Sequence, residues 1–277
     1  MNGDPQFADI VRVALAEDLG PAGDVTTLAT VAPELVGVAR LVSREAGVVA
    51  GLPVAAGVYA AVGGARVTVT PHVADGARIA PGDVLATIEG PMRDLLTGER
   101  TALNLLGQLS GVASLTRRWV DAVEGTGARI RDTRKTVPGL RGLQKYAVRC
   151  GGGVNHRMSL SDAALVKDNH VVAAGGVVNA FRLVRERYPD LPLEIEVDTL
   201  AQARDVIDAG ADLVLLDNMS LDELRAAVDY AAGRAELEAS GGLRLDDARA
   251  VAETGVHYLA VGALTHSAPV LDIGLDI

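Results

Sequence analysis

The side chains of this sequence that are best suited to chemistry are basic, and they are concentrated in one stretch. Residues 129–157 carry eight arginines and lysines, opposed only by Asp132. The whole chain has a formal net charge of -10, so this stretch is a positive island on an acidic protein. A small anion can bind to such an island, whereas nucleic acids and membrane surfaces attract proteins with broadly basic surfaces. The charge distribution argues against nucleic-acid or membrane partners and favours a small anionic ligand.

Two cations of the island, Arg134 and Lys135, follow a predicted strand and precede Pro138. Proline is common in the first turn of a helix, so this spacing predicts a helix that begins near Pro138. A helix N-terminus favours anions, and the place therefore suits a phosphate or a carboxylate. A solvated basic patch is the alternative, and charge alone does not separate the two.

The loop that follows in the island combines the glycines at 151–153 with Asn155, His156 and Arg157. Glycine tolerates positive φ, so backbone N–H groups can converge on an anion here. A triple glycine is more commonly a plain helix stop. His156 suits a hydrogen-bonding or general-acid role, although a lone histidine is more commonly a structural residue.

A lysine and several acids are predicted at the ends of neighbouring strands. Lys167 ends an otherwise apolar segment, and a buried lysine is costly unless it is paired or functional. Its natural partners are Glu196 and Asp217. In LEIEVD the period of two places Glu194, Glu196 and Asp198 on one face of the strand. A row of acids inside a sheet requires a cation or a ligand nearby.

Small residues close the last two predicted strands. They are Ser240, Gly241 and Gly242 after one strand and Gly262 and Ala263 after the next. Their size lets a ligand approach the backbone closely, as phosphate groups do in α/β barrels. Tight strand-to-helix turns are the alternative. His266 and Ser267 lie just beyond and can reach the same phosphate.

These residues sit in a regular alternation of apolar strand segments and amphipathic helical segments. The predicted strands are ARIRDT, ALVKD, LEIEVD, DLVLLD, ELEAS and HYLAVG. Strands that alternate with helices predict a parallel sheet, either doubly wound or closed into a barrel. The polar residues and glycines at several strand ends favour an α/β barrel, in which fewer than eight strands are recognisable.

The first part of the chain has a different pattern. A helical opening, FADIVRVALAEDL, precedes the Val-rich segments VGVARLVSR, GVVAGLP, ARVTVTPHV and DVLATIEGP. Glycine and proline between these segments indicate turns between strands, which predicts an α+β module. From Thr97 to residue 123 the pattern is helical, with Leu103, Leu106, Leu109 and Val112 on one face. We place the domain transition along this helix or just after it.

Cys150 is the only cysteine, so the sequence predicts neither an internal disulfide nor a zinc site made of cysteines. No histidine and acid adjoin it, and we assign it to the structure instead of catalysis. The first residues lack the basic and apolar regions of a signal peptide, and no apolar stretch approaches the ~18 residues needed to cross a bilayer. We expect a soluble, cytoplasmic protein.

Longer motifs within these segments resemble those of the quinolinate phosphoribosyltransferase family. The matching stretches are EDLGPAGDVTT, GERTALNLLGQLSGVA, RDTRKT, PGLR, QKYAV, GGG, NHR, LVKDNH, EIEVD, LLDNM, EASGG and VGALTHS. Their length and order make the resemblance far more specific than a single glycine motif, and it spans nearly the whole chain. Ser114 stands where threonine is frequent, which is a mild change.

The resemblance implies an α/β fold with an N-terminal α+β sandwich-like domain and an open, incomplete α/β barrel. The expected boundaries are 1–113 for the first domain and 114–265 for the barrel that carries the active site. A C-terminal tail, 266–277, is expected to return to the first domain. The resemblance also implies a homodimer or a multiple of dimers with shared active sites.

The implied activity transfers phosphoribosyl from phosphoribosyl pyrophosphate to quinolinate with decarboxylation, giving nicotinate mononucleotide, pyrophosphate and carbon dioxide in de novo NAD biosynthesis. Magnesium is the expected cofactor, with no organic cofactor. The implied substrate-binding residues are Arg134, Lys135, His156, Arg157, Lys167, Glu196, Asp217, Ser240, Gly241, Gly242, Gly262, Ala263 and His266, with Arg100 of the partner subunit. Lys135, Lys167, Glu196 and Asp217 are the implied catalytic residues, and the two acids are expected to face the ribose and magnesium.

Other functions remain open on the residues alone. A Schiff-base aldolase-like barrel would use Lys135 or Lys167, and it predicts borohydride trapping and indifference to magnesium chelation. A non-catalytic sugar-phosphate sensor would bind phosphoribosyl pyrophosphate without turnover. A relative with another pyridine substrate or a molybdenum-linked role would share the fold. The cluster of cations, which suits two carboxylates, favours quinolinate over nicotinate.

Overall fold

The computed structural model describes residues 5–277. Its chain divides into two compact units. The first unit runs up to Arg117 and includes Thr136–Gly152 and Leu264–Ile277, and the second comprises Arg118–Lys135 and Gly153–Ala263. The domain boundaries expected from the sequence differ from this division chiefly at residues 136–152, which belong to the first unit although they lie between two parts of the second.

Helices and strands cover most of both units. The helices are α1 (Pro5–Leu19), α2 (Val25–Thr30), α3 (Leu52–Gly63), α4 (Met92–Ala122), α5 (Arg141–Cys150), α6 (Asp168–Ala174), α7 (Val177–Arg187), α8 (Leu200–Asp208), α9 (Leu221–Ala231), α10 (Ala248–Ala252) and α11 (Ala263–His266). The strands are β1 (Val36–Ser43), β2 (Gly47–Val48), β3 (Thr68–Pro71), β4 (Arg78–Ile79), β5 (Val84–Pro91), β6 (Arg129–Arg131), β7 (Ala164–Val166), β8 (Leu193–Val197), β9 (Leu213–Asp217), β10 (Glu236–Ser240), β11 (Tyr258–Ala260) and β12 (Ile273–Asp276). Short 3-10 turns occupy Gly64–Arg66 and Leu245–Asp247.

The first unit is built on an antiparallel sheet with the strand order β12-β1-β5-β3. β2 and β4 pair separately in a small second ladder. The last strand, β12, pairs along β1, with Leu41 opposite Leu275. The C-terminal segment is therefore part of the sheet of the first unit. Neither β4 nor β12 was predicted from the sequence.

The long helix α4 carries the apolar face that its sequence predicts. Leu103, Leu106, Leu109 and Val112 are all at most 6% exposed. The helix begins at Met92, five residues before the predicted start at Thr97. In residues 5–277 no helix combines the length and the apolar character that a membrane span needs.

The second unit contains a parallel sheet with the strand order β6-β11-β10-β9-β8-β7. All six strands predicted for this part of the chain are confirmed, and helices connect most of them in the right order for a parallel sheet. Within the described residues, β6 and β7 do not pair with each other, so the sheet stays open between its first and last strands. The expected α/β fold, with an N-terminal α+β domain followed by an open, incomplete α/β barrel, is confirmed.

The expectation of a helix that begins at Pro138 is wrong. Gly139 has a φ of 80°, and the N–H of Leu140 donates to Val137 in a turn, so α5 begins only at Arg141. Arg134 and Lys135 lie in a non-helical segment before this turn.

Candidate active site

A cavity of about 290 Å³ lies within the second unit, among the carboxyl ends of its parallel strands. Its walls are formed by Thr133, Arg134, Lys135, His156, Arg157, Leu165, Lys167, Leu215, Glu238, Ser240 and Ala260. The carboxyl ends of parallel strands are the usual place for the active site of an α/β barrel. Most of the cations that the sequence singles out therefore meet in one cavity.

A larger cavity, about 570 Å³, lies at the open edge of the same sheet. Its walls come mainly from apolar side chains of β7, α6 and α7, and Arg157 is the one predicted site residue among them. Apolar walls do not bind the anionic ligand that the sequence motifs suggest. The smaller, charged cavity is therefore the candidate active site.

Two arginines of the cavity lie close enough to influence each other. Burial, and then the positive charge of Arg134, lower the pKa of Arg157. One Nη of Arg157 donates to the carbonyl of Ala163 at 2.9 Å, while Nε of Arg134 and Nε of Arg157 have no hydrogen-bond partner among the described residues. Two adjacent guanidinium groups with unused donors are suited to grip a carboxylate or phosphate.

The loop that presents His156 and Arg157 is anchored by a buried acid. Asp132, which is fully buried, accepts hydrogen bonds from Asn155 Nδ2 at 2.6 Å and from the N–H of His156 at 2.7 Å. The glycines before the loop act as a helix stop, since the N–H groups of Gly151 and Gly152 return to carbonyls of α5. Those two N–H groups are thus not available to an anion.

His156 is held between a backbone donor and an acid. Its Nδ1 accepts a hydrogen bond from the N–H of Arg157 at 2.7 Å. Nε2 lies 2.7 Å from Oε2 of Glu194. His156 thus connects the backbone of Arg157 to β8 and fixes the position from which the Arg157 side chain extends.

A buried cluster of opposite charges forms the floor below these cations. Glu194 is 3% exposed and Glu238 is fully buried. Nη1 of Arg131 lies 2.7 Å from Oε2 of Glu238 and 3.9 Å from Oε1 of Glu194, and its guanidinium stacks over the ring of Tyr258. Burial raises the pKa of Glu194 to about 7. Burial, and then the charge of Glu194, raise the pKa of Glu238 to about 7.

Sequence reasoning missed Glu238. The signal is nonetheless in the chain, because the period of two in ELEAS places Glu238 on the same face as Ser240. In the register of the parallel sheet, Glu238 is paired with Leu215 on one side and with Tyr258 on the other. Neighbours in register share a face of the sheet, and this face lines the cavity.

Lys167 forms an ion pair with Glu196, as predicted. The premise of a buried lysine is wrong, because the Lys167 side chain is 47% exposed. The lysine that is fully buried is Lys145, in α5. The second predicted partner, Asp217, instead accepts a hydrogen bond from Asn218 Nδ2 at 2.6 Å. Lys167 is therefore accessible to a ligand at the cavity wall.

The glycine that follows β10 is required by its neighbours. Gly241 has a φ of 97°, and a Cβ there would lie 2.3 Å from Oδ1 of Asn218. Asn218, itself at a positive φ of 55°, donates its N–H to the carbonyl of Ser240 at 3.0 Å. Of the five small residues predicted to hold phosphate, only Ser240 forms part of the cavity wall; Gly242 and Gly262 lie in the loops after β10 and β11, and Ala263 is the first residue of α11.

Two predicted site residues belong to the first unit. Arg100 is exposed on α4, and Nδ1 of His266 lies 2.6 Å from the hydroxyl of Ser267. All the other predicted site residues belong to the second unit. Cys150 is partly buried, and burial raises the pKa of its thiol, which agrees with a structural assignment.

The sequence of this chain is similar to those of known proteins along nearly its whole length. Residues 24–110 match the N-terminal domain of the quinolinate phosphoribosyl transferases, and residues 112–276 match their C-terminal domain. The chain belongs to the quinolinate phosphoribosyltransferase family. It is 53% identical to nicotinate-nucleotide pyrophosphorylase [carboxylating] of Mycobacterium leprae, over 97% of this chain and 96% of that protein.

Other members of the quinolinate phosphoribosyltransferase family agree with this assignment. A probable nicotinate-nucleotide pyrophosphorylase [carboxylating] of Bacillus subtilis is 39% identical over 98% of this chain and 93% of that protein. The crystal structure of NadC from Streptococcus pyogenes superposes with a TM-score of 0.95 at 40% identity, covering 100% of this chain and 98% of that one. The α/β fold derived from the sequence is therefore the fold of the family.

Proposed function

We propose that this chain transfers the phosphoribosyl group of phosphoribosyl pyrophosphate to quinolinate and releases nicotinate mononucleotide, pyrophosphate and carbon dioxide. The observation that carries the proposal is the cavity in which Arg134, Lys135, Arg157 and Lys167 meet. The names of the relatives, nicotinate-nucleotide pyrophosphorylase [carboxylating], support the same reaction. The two substrates together bring about six negative charges, and a cluster of cations is the physical requirement for holding them.

Quinolinate is assigned to the arginine side of the cavity. It carries two adjacent carboxylates, and arginine grips a carboxylate with two parallel N–H donors, whereas lysine acts as a point charge. Arg134 and Arg157 each have an Nε donor without a protein partner, and an anion that enters would offset the burial of the Arg157 charge and its repulsion by Arg134, which lower the pKa of Arg157. Nicotinate lacks one of the two carboxylates and would leave part of these donors unused.

The sugar phosphate is assigned to the loops after β10 and β11. Ser240, Gly241 and Gly242 form one loop, and Gly262 and Ala263 follow the next strand. A backbone without large side chains lets a phosphate approach closely. We assign His266 to the same phosphate on the resemblance, and Arg100 of the partner subunit to the quinolinate end in a homodimer.

Glu196 and Asp217 suit a magnesium ion that is held mainly by substrate oxygens. Each carboxylate has one oxygen engaged by a protein donor, Lys167 or Asn218, and the other oxygen without a hydrogen bond from the described residues. Magnesium commonly uses one or two protein carboxylates together with phosphates and waters. When bound, it would neutralise charge on the departing pyrophosphate. The two acids would also stabilise positive charge that develops at the anomeric carbon.

The decarboxylation needs no organic cofactor in this proposal. Once the pyridine nitrogen is joined to ribose it is cationic, so it can accept the electron pair left behind when the adjacent carboxylate departs. The role of the protein is then to bind and orient the rings and to exclude competing reactions. We further propose a cytoplasmic location, which suits a chain with a single, free cysteine.

The decisive experiment compares quinolinate with nicotinate. Each acid is incubated with the enzyme, magnesium and phosphoribosyl pyrophosphate, and pyrophosphate and carbon dioxide are both measured. We expect one carbon dioxide for each pyrophosphate with quinolinate, and poor turnover of nicotinate. Equal use of the two acids would refute the substrate assignment. Binding of phosphoribosyl pyrophosphate without any turnover would instead indicate a sugar-phosphate sensor.

A further inference from the structure

Glu238 is an acid in a cavity whose other ionisable side chains are bases. The other ionisable groups in the cavity wall are Arg134, Lys135, His156, Arg157 and Lys167. Glu238 is the one carboxylate among them, it is fully buried, and its Oε1 accepts no hydrogen bond from the described residues. An ionised carboxylate in this position would repel the anions that the cations attract. An acid that keeps its proton would not.

The surroundings of Glu238 favour the protonated form. Its Oε2 is paired with Arg131 of β6, but Glu194 of β8 competes for the same guanidinium. His156, from the loop after α5, places Nε2 at 2.7 Å from Oε2 of Glu194. Tyr258, the neighbour on β11, stacks on Arg131. Two buried carboxylates thus share one partly buried guanidinium group, and the raised pKa of Glu238 agrees with a retained proton.

The proposed reaction needs a proton at one particular moment. When the carboxylate next to the ribosylated nitrogen leaves as carbon dioxide, its bonding electron pair stays on the ring carbon. That carbon must then form a C–H bond to give nicotinate mononucleotide. The cations around the ring are arginines and lysines, and an arginine does not give up its proton in a protein.

We propose that Glu238 is the acid that protonates this ring carbon. The bond from the ring carbon to the carboxylate breaks, and in the same step the electron pair takes the proton of the Glu238 carboxyl group as carbon dioxide departs, so loss of the acid slows carbon dioxide release. Glu238 is left as a carboxylate beside Arg131, and a proton from water restores it before the next turnover. This assignment rests on the proposed function and adds a catalytic residue to it.

The test separates the two chemical steps in a single turnover. Wild type and Glu238→Gln are mixed with quinolinate, magnesium and phosphoribosyl pyrophosphate, quenched, and analysed for pyrophosphate, carbon dioxide and quinolinate mononucleotide. General acid catalysis contributes a factor of roughly a hundred or more, so carbon dioxide release should slow by about that factor relative to pyrophosphate release. Quinolinate mononucleotide should accumulate in the variant. Glu238→Asp, which keeps a carboxyl group, should recover part of the lost rate.

Glu236→Gln is the matched control. Glu236 lies on the same strand and the same face as Glu238, but it is exposed and does not form part of the cavity wall. This variant should release carbon dioxide and pyrophosphate in the wild-type ratio. A fall in the ratio of carbon dioxide to pyrophosphate release that is as large in Glu236→Gln as in Glu238→Gln would overturn the assignment, because it would reflect a general disturbance of β10.

The pH dependence provides a readout that a purely structural role would not produce. A proton donor works below its pKa, so in wild type the ratio of decarboxylation to phosphoribosyl transfer should fall as the pH rises above neutrality, and in Glu238→Gln it should be flat. An unchanged ratio in Glu238→Gln, or an equal loss of both steps, overturns the assignment. If Glu238→Gln does not fold, the wild-type measurement alone decides. A ratio of decarboxylation to phosphoribosyl transfer that stays constant as the pH rises above neutrality then overturns the assignment. Wild type that transfers no phosphoribosyl to quinolinate overturns the proposed function itself.

Discussion

Glutamine at position 238 also tests the electrostatics of the buried cluster through stability, independently of catalysis. Burial raises the pKa of Glu238 from 4.5 to about 7 in the folded protein. A carboxyl group of this kind binds more protons when folded than when unfolded, so the free energy of unfolding falls as the pH rises through this interval. One pKa unit is worth about 1.4 kcal/mol, so an isolated acid would lose about 3 kcal/mol, and one that shares Arg131 with Glu194 would lose less.

The expected result is a change of sign in the relative stability of Glu238→Gln. Near pH 5 the wild-type side chain is protonated, and a neutral amide of the same shape replaces it with little effect, about 1 kcal/mol or less. Near pH 8 wild type holds two buried carboxylates against Arg131, whereas the variant holds one, so the variant should gain about 1–3 kcal/mol relative to wild type. Urea unfolding followed by circular dichroism at several pH values measures the difference.

Glu236→Gln serves as the control for this experiment too, since it makes the same chemical change at an exposed position of β10. The reasoning about the cluster fails if Glu238→Gln and wild type lose stability in parallel from about pH 5 to about pH 8, because Glu238 would then remain ionised throughout.

Three further experiments test the site. Lys135→Ala or Lys167→Ala should reduce activity about tenfold or more without lowering the melting temperature, since each side chain is exposed and a charge-assisted contact is worth about 1.5–3 kcal/mol; near-normal turnover would make that lysine a surface residue. Gly241→Ala should destabilise the protein by about 1–3 kcal/mol and raise the KM for phosphoribosyl pyrophosphate, because of the positive φ and the contact with Asn218; a neutral effect would show that the loop rearranges freely. Inactive Arg100→Ala and Lys135→Ala chains, unfolded and remixed in equal amounts, should recover about a quarter of wild-type activity in mixed dimers; no recovery despite verified subunit exchange would exclude a shared site.

The architecture of the second unit could be predicted because each of its strands is a short apolar run that stops at polar or small residues. LEIEVD and DLVLLD show this clearly, and both became strands of the parallel sheet. β4 and β12 could not be recognised in the same way. β4 is two residues long, and β12 exists only through pairing with β1, which is distant in the chain. A local pattern does not contain such a long-range contact.

The sequence predicted which residue types form the site, but not how deeply each side chain is buried. Lys167 was expected to be buried because it ends an apolar strand, yet its side chain leaves the sheet at the strand end and reaches solvent. Conversely, Glu236 and Glu238 share one face of ELEAS, and the pattern treats them alike. The sheet separates them, since Glu238 lies between Leu215 and Tyr258 while Glu236 is exposed at the other end of the strand. Burial, which alters the pKa, depends on that position.

Asp132, the single acid of the positive island, has a structural role that a count of charges along the sequence does not reveal. By charge alone it weakens an anion site. In the fold it is fully buried and accepts hydrogen bonds from Asn155 Nδ2 and from the backbone N–H of His156. The Nδ1 of His156 in turn accepts from the backbone N–H of Arg157. An arginine grips a carboxylate well only when its own start is fixed, because less rotational freedom is then lost on binding. The acid that opposes the island in the sequence is thus the residue that positions one of its principal cations.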